Sequence, residues 1–172
     1  MGFFRYIFLI GIVTGSTSIG FLLSKSYSDR LTELKGLVKL INILQNKLKF
    51  THKPLAEIFE EISLLNSNSK VGEIFLKASK KLKENNAETS WKEAIMEEAF
   101  FLNLKNEDIE LIKSFGNMLG KTDIEGQISE INQFITLING QIAVAEEEKN
   151  KNSKMYKSLG TIIGLVIVII LF

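Results

Sequence analysis

Phe3 to Leu23 is a stretch of 21 residues whose only charge is Arg5, near its start. A helix needs about 20 predominantly apolar residues to cross a bilayer, so this stretch predicts a transmembrane helix over 3–23. Its glycines do not oppose that, because lipid-embedded helices tolerate glycine. Gly11 and Gly15 form a GxxxG-like step, a candidate close-packing face. Leu159 to Phe172 is uncharged as well. Its fourteen residues reach only about 21 Å, short of an apolar core roughly 30 Å thick. Tyr156 and Lys157 extend it, the ring by sitting at the interface and the lysine by snorkelling. Ile162, Ile163, Leu165, Val166 and Ile167 leave no polar face, unlike the outer helix of a soluble bundle. A second transmembrane helix is expected over 158–172.

The residues between these ends are charged and helical in pattern. The chain has 172 residues, no cysteine, one histidine (His52) and one proline (Pro54). A disulfide framework, a thiol nucleophile and a Cys-based zinc site are excluded, and a His-rich metal site or a Ser-His-Asp triad is poorly supplied. No GxxxxGK[ST] string is present, so a P-loop is absent. No run alternates apolar and polar residues between hairpin turns, and the expected fold class is all-α.

Charge is segregated. Residues 25–53 hold seven basic residues and two acids, residues 54–148 nine and eighteen, and residues 149–157 four and none. Basic segments therefore flank both apolar ends, where anionic lipid headgroups attract them. The acidic body offers no footprint for nucleic acid. By the positive-inside rule the body lies in the cytoplasm with both termini outside. The alternative is a cleaved leader: Met1 to Arg5 resembles an n-region and Tyr6 to Val13 an h-region. The chain would then be an extracytoplasmic, signal-anchored helical binding protein. Lys25 and Arg30 follow closely and no Ala-x-Ala closes the segment, which favours retention.

The soluble domain is expected over 24–148, followed by a basic juxtamembrane stem over 149–157. Leu31, Leu34, Val38, Ile41, Leu44 and Leu48 form one stripe, on a helix that Pro54 ends. Pro54 opens a second helix to Leu65, and Asn66 to Ser69 read as a loop. His52 falls near the turn. A third helix, 70–84, turns Val71, Ile74, Phe75, Ala78 and Leu82 inward. Thr89 can cap a fourth, in which Trp91 is a core anchor. Asn106 can cap a fifth, 107–119, stopped by Gly120. Thr122 or Asp123 caps the last and longest. Its Ile124, Ile128, Ile131, Ile135, Ile138, Ile142 and Ala145 repeat every seven residues. That seam fits a self-associating coiled coil or an intramolecular bundle; the four other striped helices favour the bundle. The stretch 146–157 has no stripe and reads as a solvated stem.

The neighbouring acids form no shared site. Glu60-Glu61 and Glu97-Glu98 are sequence neighbours that point apart on a helix. Glu146 to Glu148 lacks the turn that would add ligands for a cation. No catalytic, cofactor-binding or metal-binding residue is expected, and no small-molecule substrate.

Five strings occur in order: Ile19-Gly20-Phe21, His52-Lys53-Pro54-Leu55, Trp91-Lys92-Glu93-Ala94, Phe115-Gly116-Asn117-Met118-Leu119-Gly120-Lys121-Thr122-Asp123 with Gln127, and Lys157-Ser158-Leu159-Gly160. Together they resemble the stage III sporulation protein AB family of endospore-forming bacteria, over essentially the whole chain. The family often has Thr-Pro-Leu where this chain has Lys-Pro-Leu. The resemblance implies a six-helix domain similar to the cytoplasmic domain of type II secretion and type IV pilus platform proteins. It implies membership of a secretion-like channel complex between mother cell and forespore. A secretion-type ATPase, stage III sporulation protein AA, is the implied partner, alongside other channel components and, through both ends, membrane lipid. It further implies placement in the outer forespore membrane, with the body in the mother-cell cytoplasm. Leu119, Gly120, Asp123 and Gln127 carry the resemblance and are the candidate partner-contact residues.

Overall fold

Nothing between Gly2 and Phe50 interrupts a helix, and α1 (Gly2–Phe50) is unbroken. The computed structural model describes residues 2–51, 53–66, 69–120 and 123–171. The remaining elements are α2 (Leu55–Leu64), α3 (Lys70–Lys81), α4 (Ala87–Glu98), α5 (Asn106–Ser114) and α6 (Ile124–Leu171), with short 3-10 turns at Ala99–Phe101 and Phe115–Met118. The all-α expectation holds, and no strand occurs among the described residues. α1 and α6 are long and apolar enough to cross a membrane. The chain divides into two compact units, one of Met1–Leu31 with Val144–Phe172, the other of Thr32–Ala143.

Local chemistry explains the helix limits. Pro54 precedes α2 with φ −56°, where its missing N–H costs nothing. Asn86, not Thr89, caps α4, its side-chain oxygen accepting the Thr89 N–H at 2.8 Å. Thr89 instead occupies the first turn. Likewise α5 begins at Asn106 rather than after it, and the Asp108 carboxylate accepts the Lys105 N–H at 2.9 Å. α5 is shorter than expected, because the chain tightens into the 3-10 turn at Phe115. Asp123 caps α6, accepting the Gly126 N–H at 2.9 Å. His52, Ser67, Asn68, Lys121 and Thr122 lie outside the described residues, as do the side chains of Phe3 and Arg5.

The unit of residues 32–143 is a helical bundle with one apolar core. α2 packs on α3, α3 on α4, and α4 on α5. α1 contributes Leu37, Leu40, Ile41 and Leu44, a stripe broader than the spacing suggested. Val71, Ile74, Phe75 and Ala78 of α3 point inward as expected, and Leu82 is only half-buried. Five aromatic rings run through the centre. Trp91 meets Phe59, Phe75 and Phe115 at centroid distances of 5.7, 5.2 and 5.2 Å, and Phe115 meets Phe134 at 4.6 Å. The indole N–H donates to the Ile112 carbonyl at 2.8 Å, so the buried polar atom is satisfied. On α6 the inner edge of the heptad seam is Ile131 and Ile138 with Phe134, all buried, whereas Ile124 is exposed. The Gln45 amide donates to Asn132 at 2.8 Å and ties α1 to α6. The seam thus closes the bundle within the chain.

The other unit is an antiparallel pair of helical segments. The Ser24 and Ser153 hydroxyls hydrogen-bond at 2.6 Å, and the Arg30 guanidinium meets Glu148 at 2.7 Å. Tyr27 and Tyr156 stack at 5.8 Å. The stretch 146–157 is exposed or half-buried throughout, as a solvated stem would be, and one side of it packs on α1. Gly11 and Gly15 have nothing within 4 Å of a would-be Cβ, so the expected close-packing face lies elsewhere. It is Ser16 and Gly20 against Gly160 and Gly164: a Cβ at Gly20 would lie 2.5 Å from the Tyr156 carbonyl oxygen, and one at Gly160 2.8 Å from that of Ser16. Small residues at four-residue spacing let helix backbones approach in this way.

Candidate partner-binding surface

The string from Phe115 to Asp123 is built first of all to fold. Phe115 is fully buried in the ring cluster. Gly116 lets the chain cross Trp91, whose Cδ1 would lie 3.1 Å from a Cβ there. Leu119 is 4 % exposed and belongs to the core. Gly120 has φ +74°, a left-handed conformation that glycine adopts at least cost. Asp123 spends its carboxylate on the α6 cap, and the half-buried Gln127 donates its backbone N–H to the Asp123 carbonyl at 2.9 Å. Of the four candidate contact residues, Gly120 and Asp123 face solvent, and Leu119 does not.

A different surface stands out. Seven aromatic residues lie between Leu55 and Ile142. Phe59, Phe75, Trp91, Phe115 and Phe134 are fully buried, whereas Phe100 is 91 % exposed and Phe101 57 %. The two exposed rings touch edge to face at 5.6 Å in the turn after α4. Met96, one turn earlier on α4, is also exposed. It lines a cleft of about 360 Å³ with Lys92, Glu110, Lys113, Ser114 and Asn117. Apolar anchors with a charged rim are what a protein partner buries. The signal in the sequence was Phe100-Phe101 itself: two adjacent aromatics that fit no helical stripe.

The acidic pairs have structural partners. Lys77 bridges Glu98 at 2.6 Å and Glu97 at 3.3 Å, and Lys81 meets Glu93 and Glu97 at 2.9 Å each. Lys81 and then Lys77 lower the Glu97 pKa, and the bridging acids raise both lysines. Glu61 is gripped by Lys47 and Lys53, whose hydrogen bonds, in that order, hold its carboxyl at about 2. Because the folded value lies below the unfolded one, this contribution to stability is complete above the ordinary glutamate range and is lost as pH falls toward 2. A side-chain NMR titration is expected to place the Glu61 midpoint near 2. In Lys47→Met/Lys53→Met it should move up toward about 4.3; an unmoved midpoint would show that the lysines are not the cause. Among the described residues no group of three or more acids or histidines is placed to hold a metal.

Residues 5–172 match the family described as Stage III sporulation protein AB. The chain belongs to that family. Stage III sporulation protein AB of Bacillus subtilis (strain 168) is 30% identical over 162 residues, covering 93% of this chain and 94% of that protein. A solved structure of stage III sporulation protein AB superposes with a TM-score of 0.67 at 24% identity, covering 72% of this chain and 98% of the other. In this member of the family the long apolar helices are α1 and α6, and the exposed aromatic pair lies on the bundle.

Proposed function

We propose that the chain is a non-enzymatic membrane platform of the sporulation channel complex, placed in the outer forespore membrane with its bundle in the mother-cell cytoplasm. The observation that carries this reading is that α1 and α6 each contribute to the bundle core and also hold an apolar stretch long enough to span a bilayer. The basic residues beside both stretches support a cytoplasmic bundle. A stage III sporulation protein AA-like ATPase is the partner, engaging Met96, Phe100 and Phe101, three large apolar side chains exposed together at the end of α4. Burying two aromatic anchors gives such a contact its energy, and the acidic body steers a basic partner toward it.

Co-purification from sporulating cells tests this. The native chain should retain the ATPase, and Phe100→Ser/Phe101→Ser should lose most of it while keeping its helical content. Retention by the variant would remove the aromatic pair from the interface. Digestion of the bundle by protease added outside spheroplasts would place it on the wrong side of the membrane and favour a signal-anchored binding protein. Inserting two glycines after Asn150 interrupts α6 and should abolish sporulation at normal expression; normal sporulation would show that the bundle need not be coupled to the membrane through α6.

A further inference from the structure

Four positions on α1, namely Phe21, Ser24, Lys25 and Ser28, share one helix face, and Lys149, Ser153 and Lys157 share one on α6 at steps of four. The two faces meet and line a cleft of about 240 Å³. Three lysines and three serines therefore line one cleft. Among the described residues, none of Lys25, Lys149 and Lys157 lies within ion-pair distance of an acid, unlike Lys47, Lys77 and Lys81 of the bundle. The two acids nearest in sequence do not cancel them: Glu148 faces Arg30 at 2.7 Å, and Asp29 pairs with none of the three. The Ser24 and Ser153 hydroxyls bond to each other at 2.6 Å, and that bond uses only one of their two O–H groups. At the apolar end the Lys157 ammonium sits 5.4 Å from the Phe21 ring centroid, which fixes its direction by cation–π attraction.

Three lysines gathered in one cleft with the Ser24 and Ser153 hydroxyls are matched by a phosphate. Lys25 lies two residues after the end of the first apolar stretch, and Lys157 directly before the second. We infer that this cleft binds the phosphodiester headgroup of an anionic phospholipid, of the phosphatidylglycerol kind. The inference rests on the reading that both apolar stretches cross the bilayer. It goes beyond diffuse attraction of basic flanks to lipid, because it assigns the binding to one side of the helix pair. Lys151 and Lys154, on the same segment, are exposed and outside the cleft, and they serve as the control.

The test uses the full chain in nanodiscs of phosphatidylcholine with a minor fraction of phosphatidylglycerol, with retained lipid counted by native mass spectrometry. The native chain should retain phosphatidylglycerol selectively. K25Q/K149Q/K157Q should lower that preference by about tenfold or more, since each lysine near an anionic surface is worth roughly fivefold. K151Q/K154Q should cost clearly less per charge removed, and K25R/K149R/K157R should keep the preference. Equal losses per charge in both glutamine variants would overturn the site in favour of diffuse attraction. Binding of inorganic phosphate in pure phosphatidylcholine discs, with no preference for phosphatidylglycerol, would overturn the lipid as its source. A chain that fails to enter the discs refutes the membrane reading, and the headgroup site with it; entry without selectivity refutes the site alone.

Discussion

Trp91→Ala is expected to destabilise the bundle by about 4 kcal/mol. The indole touches three rings, is fully buried, and satisfies its N–H on Ile112. Truncation removes that contact area and leaves a cavity that four separate helices would have to move to fill. Domains of this size are stable by roughly 5–15 kcal/mol, so the loss is a large share of the total. Urea unfolding of the full chain in detergent, followed by circular dichroism, measures it without the lost fluorophore. Phe100→Ala is the matched control: its ring is 91 % exposed, and the expected change is within about 0.5 kcal/mol. If both variants unfold at the same denaturant concentration, the ring cluster is not the centre of the core.

The helices were legible because their stripes are local. Val71, Ile74, Phe75 and Ala78 share a face at helical spacing, and the structure buries all four. What escaped was set by tertiary contact. Leu37 and Leu40 widen the α1 stripe because several helices cover that helix, a fact no spacing within α1 records. Phe134 stands off the isoleucine seam and is nevertheless buried, since Phe115 reaches across to it. Caps shifted by up to three residues, as at Asn86 and Thr89, because either residue offers an acceptor and only the geometry selects one.

The candidate contact residues illustrate a second limit. Leu119, Gly120, Asp123 and Gln127 form a conspicuous string, yet a turn that must pass a tryptophan, reverse through positive φ and restart a helix also demands conspicuous residues. Folding constraints and binding constraints look alike in a single sequence. Exposure is what the sequence does not give: the structure turns Leu119 inward and Gly120, Asp123 and Phe100 outward. The lysine cleft was half legible. Basic flanks are visible in the sequence, but that Lys25, Lys149 and Lys157 meet depends on the antiparallel register of α1 and α6.

That register is what Gly160→Leu attacks. A Cβ at position 160 would lie 2.8 Å from the Ser16 carbonyl oxygen and 2.9 Å from the Gly20 Cα, both backbone atoms that no side-chain rotation can relieve. Overpacking costs about 1–3 kcal/mol where a core can give way. In the bilayer placement proposed above there is no hydrophobic drive to hold the pair against that cost, because lipid tails are as apolar as leucine. The expected result is separation of the two segments. The absence of native cysteine makes it measurable, since Ser24→Cys/Ser153→Cys puts the sole two thiols where two hydroxyls now touch at 2.6 Å. Oxidative cross-linking should be rapid on the native background and fall by about tenfold or more when Gly160→Leu shifts the pair by some 1.4 kcal/mol or more. Gly11→Leu adds the same bulk where nothing lies within 4 Å, and cross-linking should not change. Equal cross-linking in both would mean that the pair is held by the Tyr27–Tyr156 and Arg30–Glu148 contacts rather than by the glycines. A loss confined to Gly160→Leu would make the glycine crossing the feature that brings Lys25, Lys149 and Lys157 to one cleft.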